Sequence, residues 1–163
     1  MKQIVLVCAA ALVSGALSAQ KLKETEVPQA VKASFSKSFP NAKAVEWSKE
    51  TESEFEAEFK SGSVEQSANF DATGKWLVTE TEIKKSDLPA AVQATIKKEF
   101  AGFKIEEAEK VEKAEGVTYE VELEKGELTY GIEFSKDGKV LKKEEKKEDD
   151  KEGDEKEEND GKN

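Results

Sequence analysis

Leu88–Phe100 reads LPAAVQATIKKEF, and 61 residues earlier Val27–Phe39 reads VPQAVKASFSKSF. The two stretches carry apolar residues at the same helical spacing. Val27, Ala30, Val31, Phe35 and Phe39 form one stripe, and Leu88, Ala91, Val92, Ile96 and Phe100 form the other. Pro28 and Pro89 suit the first helical turn, where the missing N–H does no harm. Ser86 or Asp87 is placed to cap the second helix, with Thr25 or Glu26 ahead of the first. Pro40 ends the first helix and Gly102 the second. Each stripe is one-sided, so each helix must lie on something.

The likeness extends beyond the helices. At a shift of 61, Val27–Ala44 and Leu88–Ile105 share seven identities in 18 positions, among them Pro28/Pro89, Val31/Val92 and Phe39/Phe100. At a shift of 64, Phe55–Val78 matches Tyr119–Lys142, with Glu56/Glu120, Glu58/Glu122, Phe70/Phe134 and Gly74/Gly138 identical. Two registers separated by one short insertion read as a tandem duplication of a unit of roughly 60 residues. The strands are legible by alternation. Phe55, Ala57 and Phe59 alternate with Glu54, Glu56 and Glu58. Tyr119, Val121 and Leu123 alternate with Glu120, Glu122 and Glu124. Period two means one buried and one wet face. Ser61-Gly62 and Lys125-Gly126 turn the chain, return strands lead to Phe70 and Phe134, and DATGK and KDGK turn it again. Trp76–Val78 and Val140-Leu141 form the last strands, and Thr79–Asp87 reads as the connector. The expected fold is α+β: two tandem helix-plus-antiparallel-strand repeats, at about 27–85 and 88–141, with the helices packed on one side of the sheet.

Both ends fall outside that plan. Met1–Gln3 is a short basic start, Ile4–Leu17 is almost wholly apolar, and Ser18-Ala19-Gln20 is a small-residue exit. Residues 1–19 therefore read as a secretory signal peptide, cleaved after Ser18 or Ala19. The run is too short to span a bilayer, which needs about 20 residues. No membrane insertion is expected after cleavage. From Lys142 to Asn163 the chain holds no apolar residue, seven Lys and eleven Asp or Glu. Residues 142–163 are read as a disordered charged tail, leaving a folded domain over 20–141.

Composition restricts the chemistry. Cys8, the only cysteine, leaves with the leader, so the mature domain must rely on its core alone. The chain has no His, and all 26 basic residues are Lys. Zinc and copper sites, His-based acid–base catalysis and bidentate Arg clamps lose their usual ligands. A net charge of -10 opposes nucleic acid. It suits Ca²⁺, a basic partner, or plain solubility. Glu56, Glu58, Glu120 and Glu122, with Glu133 nearby, are expected on the polar face of the sheet. Neighbours at i and i+2 on a strand lie about 7 Å apart. They are candidates for binding a partner or a hard cation, against the plainer reading of a solvated face paired with Lys. Asp71 and Asp137 sit beside turn glycines. They are weak calcium candidates, since such Asp residues usually bond their own backbone. Trp47, Tyr119 and Tyr130 read as core by parity, while Trp76 is left as a candidate surface contact. Ser34, Ser36 and Ser38 have no His to activate them and no motif marks a desolvated Lys, so no catalysis is expected.

Two copies of (V/L)P-x-A-V-x-A-x-(F/I)-x-K-x-F, each followed by alternating strands and an F-x-x-x-G-K turn, resemble the PepSY-like family. Its members are periplasmic proteins also described as resembling the beta-lactamase inhibitor protein. The resemblance covers about Val27 to Leu141 and implies an α+β fold. It brings no catalytic residues, and the charged tail is not part of its pattern. It implies a periplasmic, non-catalytic, inhibitor-like binding module that engages an envelope protein partner through a sheet face or loops. The alternative is a calcium-responsive periplasmic protein holding Ca²⁺ on surface carboxylates.

Overall fold

The computed structural model describes residues 20–146. The expected signal peptide lies outside the described residues. Strand β1 is Gln20–Leu22, β2 Lys43–Thr51, β3 Glu54–Ser61, β4 Val64–Asp71 and β5 Trp76–Glu82. Strand β6 is Lys104–Lys113, β7 Gly116–Lys125, β8 Leu128–Ser135 and β9 Val140–Lys146. Helix α1, Gln29–Ser38, is inserted between β1 and β2, and α2, Ala90–Glu99, between β5 and β6.

The expected architecture of two tandem helix-plus-strand repeats is overturned. Among the described residues the chain builds one nine-stranded antiparallel sheet in the order β1 to β9, with only two α-helices, each of ten residues. The reason lies in the stretch read as a connector. Val78–Glu82 is rich in Thr and Val, which favour strands. It pairs with Glu109–Lys113 in continuous register, Val78↔Lys113 to Glu82↔Glu109. A boundary there would leave the β5 edge open to foreign pairing. The ladder closes it instead. The compact units cut across the expected boundary too. Among the described residues one unit holds 20–84 together with Glu109–Thr118, and the other holds Lys85–Ala108 and 119–146.

The charged C-terminus also needs correction. Lys142–Lys146, read as the start of a disordered tail, belongs to β9 and pairs with Thr129–Glu133. Ladder hydrogen bonds need no apolar side chain, so composition alone misplaced the boundary. Residues 147–163 lie outside the described residues.

The first unit is built around α1. Val31 and Phe35 are buried with Trp47 of β2, Phe55, Ala57 and Phe59 of β3, and Ala68 and Phe70 of β4. Phe35 is the hub: its ring meets Trp47 and Phe59 edge-on, each at 5.1 Å between centroids. Such edge-to-face pairs add about 0.5–1.5 kcal/mol each beyond burial. In the second unit Val92 and Ile96 of α2 are buried, as are Val121, Leu123, Ile132 and Phe134. Two turn glycines fix helix to sheet within their own units. Gly74 has φ +83°, and a Cβ there would stand 2.6 Å from the Ala30 carbonyl oxygen. Gly138 has the same φ, and its Cβ would stand 2.5 Å from that of Ala91. Thr95 donates to the Gly138 carbonyl at 2.8 Å.

The helix ends differ from expectation. Pro28 and Pro89 are the N-cap residues themselves, just outside the first turn, and neither helix has a side-chain cap. Ser86 and Asp87 belong to a 3-10 turn, Lys85–Asp87, ahead of α2. Phe39 and Phe100 close the helices with N–H bonds to Phe35 and Ile96.

Candidate functional site

In the first unit, alternation sends Glu54, Glu56 and Glu58 of β3 to the face opposite Phe55, Ala57 and Phe59. Register then gathers partners that no single strand shows. Glu56 stands between Ser48 of β2 and Asn69 of β4, and Glu58 between Glu46 and Ser67. Ser67 in turn faces Glu80 of β5. This face was expected to be wet. Glu46 and Glu58 are exposed, but Glu56 is 5% exposed, Glu80 2%, and Ser67 and Asn69 are fully buried.

The polar groups are hydrogen-bonded among themselves. The Ser48 hydroxyl lies 3.0 Å from Glu50 Oε1 and 3.2 Å from Glu56 Oε2. Ser67 donates to Glu80 at 3.4 Å, and Asn69 Nδ2 donates to Glu54 at 3.1 Å. A hydroxyl has one proton and cannot donate fully to two carboxylates. The trio is satisfied when one carboxyl carries a proton of its own. Glu56 is that group. Burial, then the charge of Glu50, a hydrogen bond with Glu50, and the charges of Glu58 and Glu80 push its pKa from 4.5 to about 8. Glu58 is also raised, first by burial and then by Glu46, while Lys21 of β1 opposes the shift. Glu56 therefore keeps its proton at neutral pH.

The remaining candidates are placed as follows. Glu122 of β7 receives the Lys146 ammonium of β9 in an ion pair. Glu133 of β8 stands opposite Lys142 in register. Glu120 is half-buried on β7. Trp76 is half-buried, packs against the first unit's core, and donates from Nε1 to Thr79 Oγ1 at 2.8 Å. Asp71 closes its turn, with Oδ1 accepting from the Thr73 N–H at 2.8 Å and the Lys75 N–H at 3.1 Å. Those bonds, led by the Thr73 hydroxyl, hold its pKa below the usual carboxylate range. Asp137 is likewise lowered, chiefly by Ser135. Among the described residues no group of three or more Asp, Glu, His or Cys side chains is gathered to hold a metal ion. Nor is any helix among them long and apolar enough to cross a membrane.

Sequence reasoning missed Glu46, Ser48, Glu50, Ser67, Asn69 and Glu80. The signal that finds them is cross-strand register, which irregularities at Lys43/Glu46, Lys49/Thr51 and Asn69/Phe70 hide from a strand-by-strand reading.

A family model described as beta-lactamase-inhibitor-like and PepSY-like matches residues 17–66 and 53–142. The chain belongs to the PepSY-like family. Solved structures agree on the fold. A BLIP-like protein from Bacteroides fragilis is 26% identical, covering 72% of this chain and 86% of its own, with a TM-score of 0.63. A DUF2874 family protein from Bacteroides uniformis is 24% identical over 72% and 88%, with a TM-score of 0.68. A Bacteroides eggerthii protein whose name refers it to the periplasm is 22% identical over 73% and 88%, with a TM-score of 0.69. No curated protein matches. The shared part of this PepSY-like chain thus includes both helices and all but the last residues of β9.

Proposed function

We propose that this PepSY-like chain is an exported, periplasmic, non-catalytic binding module, inhibitor-like in mode. It engages a protein partner through the polar face of the sheet. The observation that carries the reading is the acidic face of the first unit. Glu50, Glu58 and Glu80 act on a buried Glu56, and Glu46, Glu50 and Glu65 act on Glu58 against the opposing charge of Lys21. Such a face fits a partner that presents Lys or Arg. The periplasmic assignment is supported by the leader-like segment at residues 1–19 and by the name of the Bacteroides eggerthii relative. The non-catalytic assignment is supported by the family and by a chain without His.

The test is affinity capture from an envelope fraction with quantified recovery. Glu58→Lys is exposed enough to leave the melting midpoint in place, and it should lose a protein that the wild type enriches. Glu122→Lys tests β7, with its recovery read beside its own melting midpoint because it also breaks the ion pair with Lys146. Identical recovery by wild type and both variants would refute the reading. Calcium on surface carboxylates is the alternative. It calls for a melting midpoint that rises with Ca²⁺ and not with Mg²⁺ at equal ionic strength.

A further inference from the structure

The second unit carries a surface of opposite character. Among the described residues some lysines pair with carboxylates: Lys60 with Glu65, Lys110 with Glu112, Lys142 with Glu144 and Lys146 with Glu122. Lys125 and Lys143 do not. Among the described residues neither ammonium lies within ion-pair distance of a carboxylate, although Glu145 stands opposite Tyr130 on the neighbouring strand. Both lie instead over rings. Lys143 Nζ is 3.7 Å from the Tyr130 centroid and 5.5 Å from that of Phe100, and Lys125 Nζ is 5.5 Å from that of Phe103. Phe103 and Tyr130 stack at 5.4 Å. Both rings are half-buried, and Leu128, two residues before Tyr130 on the same strand face, is 43% exposed.

Here two cations that lie over rings flank a partly exposed aromatic and aliphatic surface. We infer that this patch is a docking site for an acidic protein segment that carries an aromatic or large aliphatic residue between its carboxylates. The carboxylates would meet Lys125 and Lys143, and the apolar side chain would lie on Phe103, Tyr130 and Leu128. Charge complementarity selects this occupant, because a basic segment would meet both ammoniums head-on. The chain's net charge of -10 opposes an acidic visitor only at long range. At physiological ionic strength charges beyond about 8 Å are largely screened, so the local lysines dominate.

The experiment is an NMR titration of the full mature chain with a blocked EEFEE peptide at 0.15 M salt, beside a KKFKK control. Amide shifts at Gly102, Phe103 and Tyr130 are expected with EEFEE and not with KKFKK. Lys125→Gln and Lys143→Gln, both at exposed positions, should each weaken binding about threefold, and together about tenfold. Glu58→Lys should leave it unchanged, which separates this site from the acidic face. Absent shifts, equal shifts with KKFKK, or a double variant that binds like the wild type would overturn the inference. A chain ending at Lys146 that binds EEFEE more tightly would also overturn it. The occupant would then be the chain's own residues 147–163, nine of which are Asp or Glu.

Discussion

Glu56→Gln isolates one proton in a chain without histidine. Burial and neighbouring carboxylates hold the Glu56 pKa near 8 in the folded state, against an ordinary 4.5. The native state therefore keeps a proton that the unfolded chain gives up. The associated stability is whole below pH 4.5 and is lost as pH rises through 8. The gap corresponds to about 5 kcal/mol in full, at about 1.4 kcal/mol per pH unit. Gln keeps the shape and an amide donor for Glu50 but cannot ionise. The variant should match the wild type at pH 4.5 and exceed it by about 2–5 kcal/mol at pH 9. Urea unfolding followed by the fluorescence of Trp47 and Trp76, at half-unit steps from pH 4.5 to 9, reads both curves. The difference between them removes every other titrating group common to both. A difference that stays flat across this range would show that Glu56 does not hold the proton, and the account of the Ser48–Glu50–Glu56 cluster would fall with it.

Three further outcomes follow from the packing. Gly74→Ala and Gly138→Ala each place a Cβ against a helix carbonyl in left-handed backbone, so each should cost about 2 kcal/mol or more by denaturant midpoint. Phe70→Ala empties a fully buried site beside Phe35 and should cost about 3–5 kcal/mol, whereas Val64→Ala, at an exposed hairpin end, should cost under about 0.5 kcal/mol. Thr95→Val removes the bond to the Gly138 carbonyl and should cost about 1 kcal/mol, read as a lowered melting midpoint and faster amide exchange at Gly138.

Much of the secondary structure was legible because each element carries its own period. The stripes ending at Phe39 and Phe100 fell on helices, and the alternation around Phe55–Phe59 and Tyr119–Leu123 fell on strands. What was not legible depends on neighbours far apart in sequence. Thr79–Glu82 reads as a polar connector until its ladder with Glu109–Glu112 is seen. Lys142–Lys146 reads as tail until β8 lies beside it. The same limit governs the acidic face. Glu56 and Glu58 were visible on their strand. Glu50 and Glu80, which help fix the Glu56 proton, enter only through three-dimensional neighbourhood. Burial of a polar face has no sequence signal at all, since alternation reports parity and not depth.

The order of strands in the sheet is the order of strands in the chain. Each strand therefore needs only its predecessor to begin pairing, and every pairing closes a short hairpin or a loop containing one helix. Such local wiring lowers the entropy of each closure and favours rapid assembly. It also permits growth from one end. A chain delivered N-terminus first through a narrow opening could add β2 to β1, then β3 to β2, without waiting for residues still on the far side. At every stage one edge advances while β1 forms the other, and the next strand to arrive is the one that covers the advancing edge.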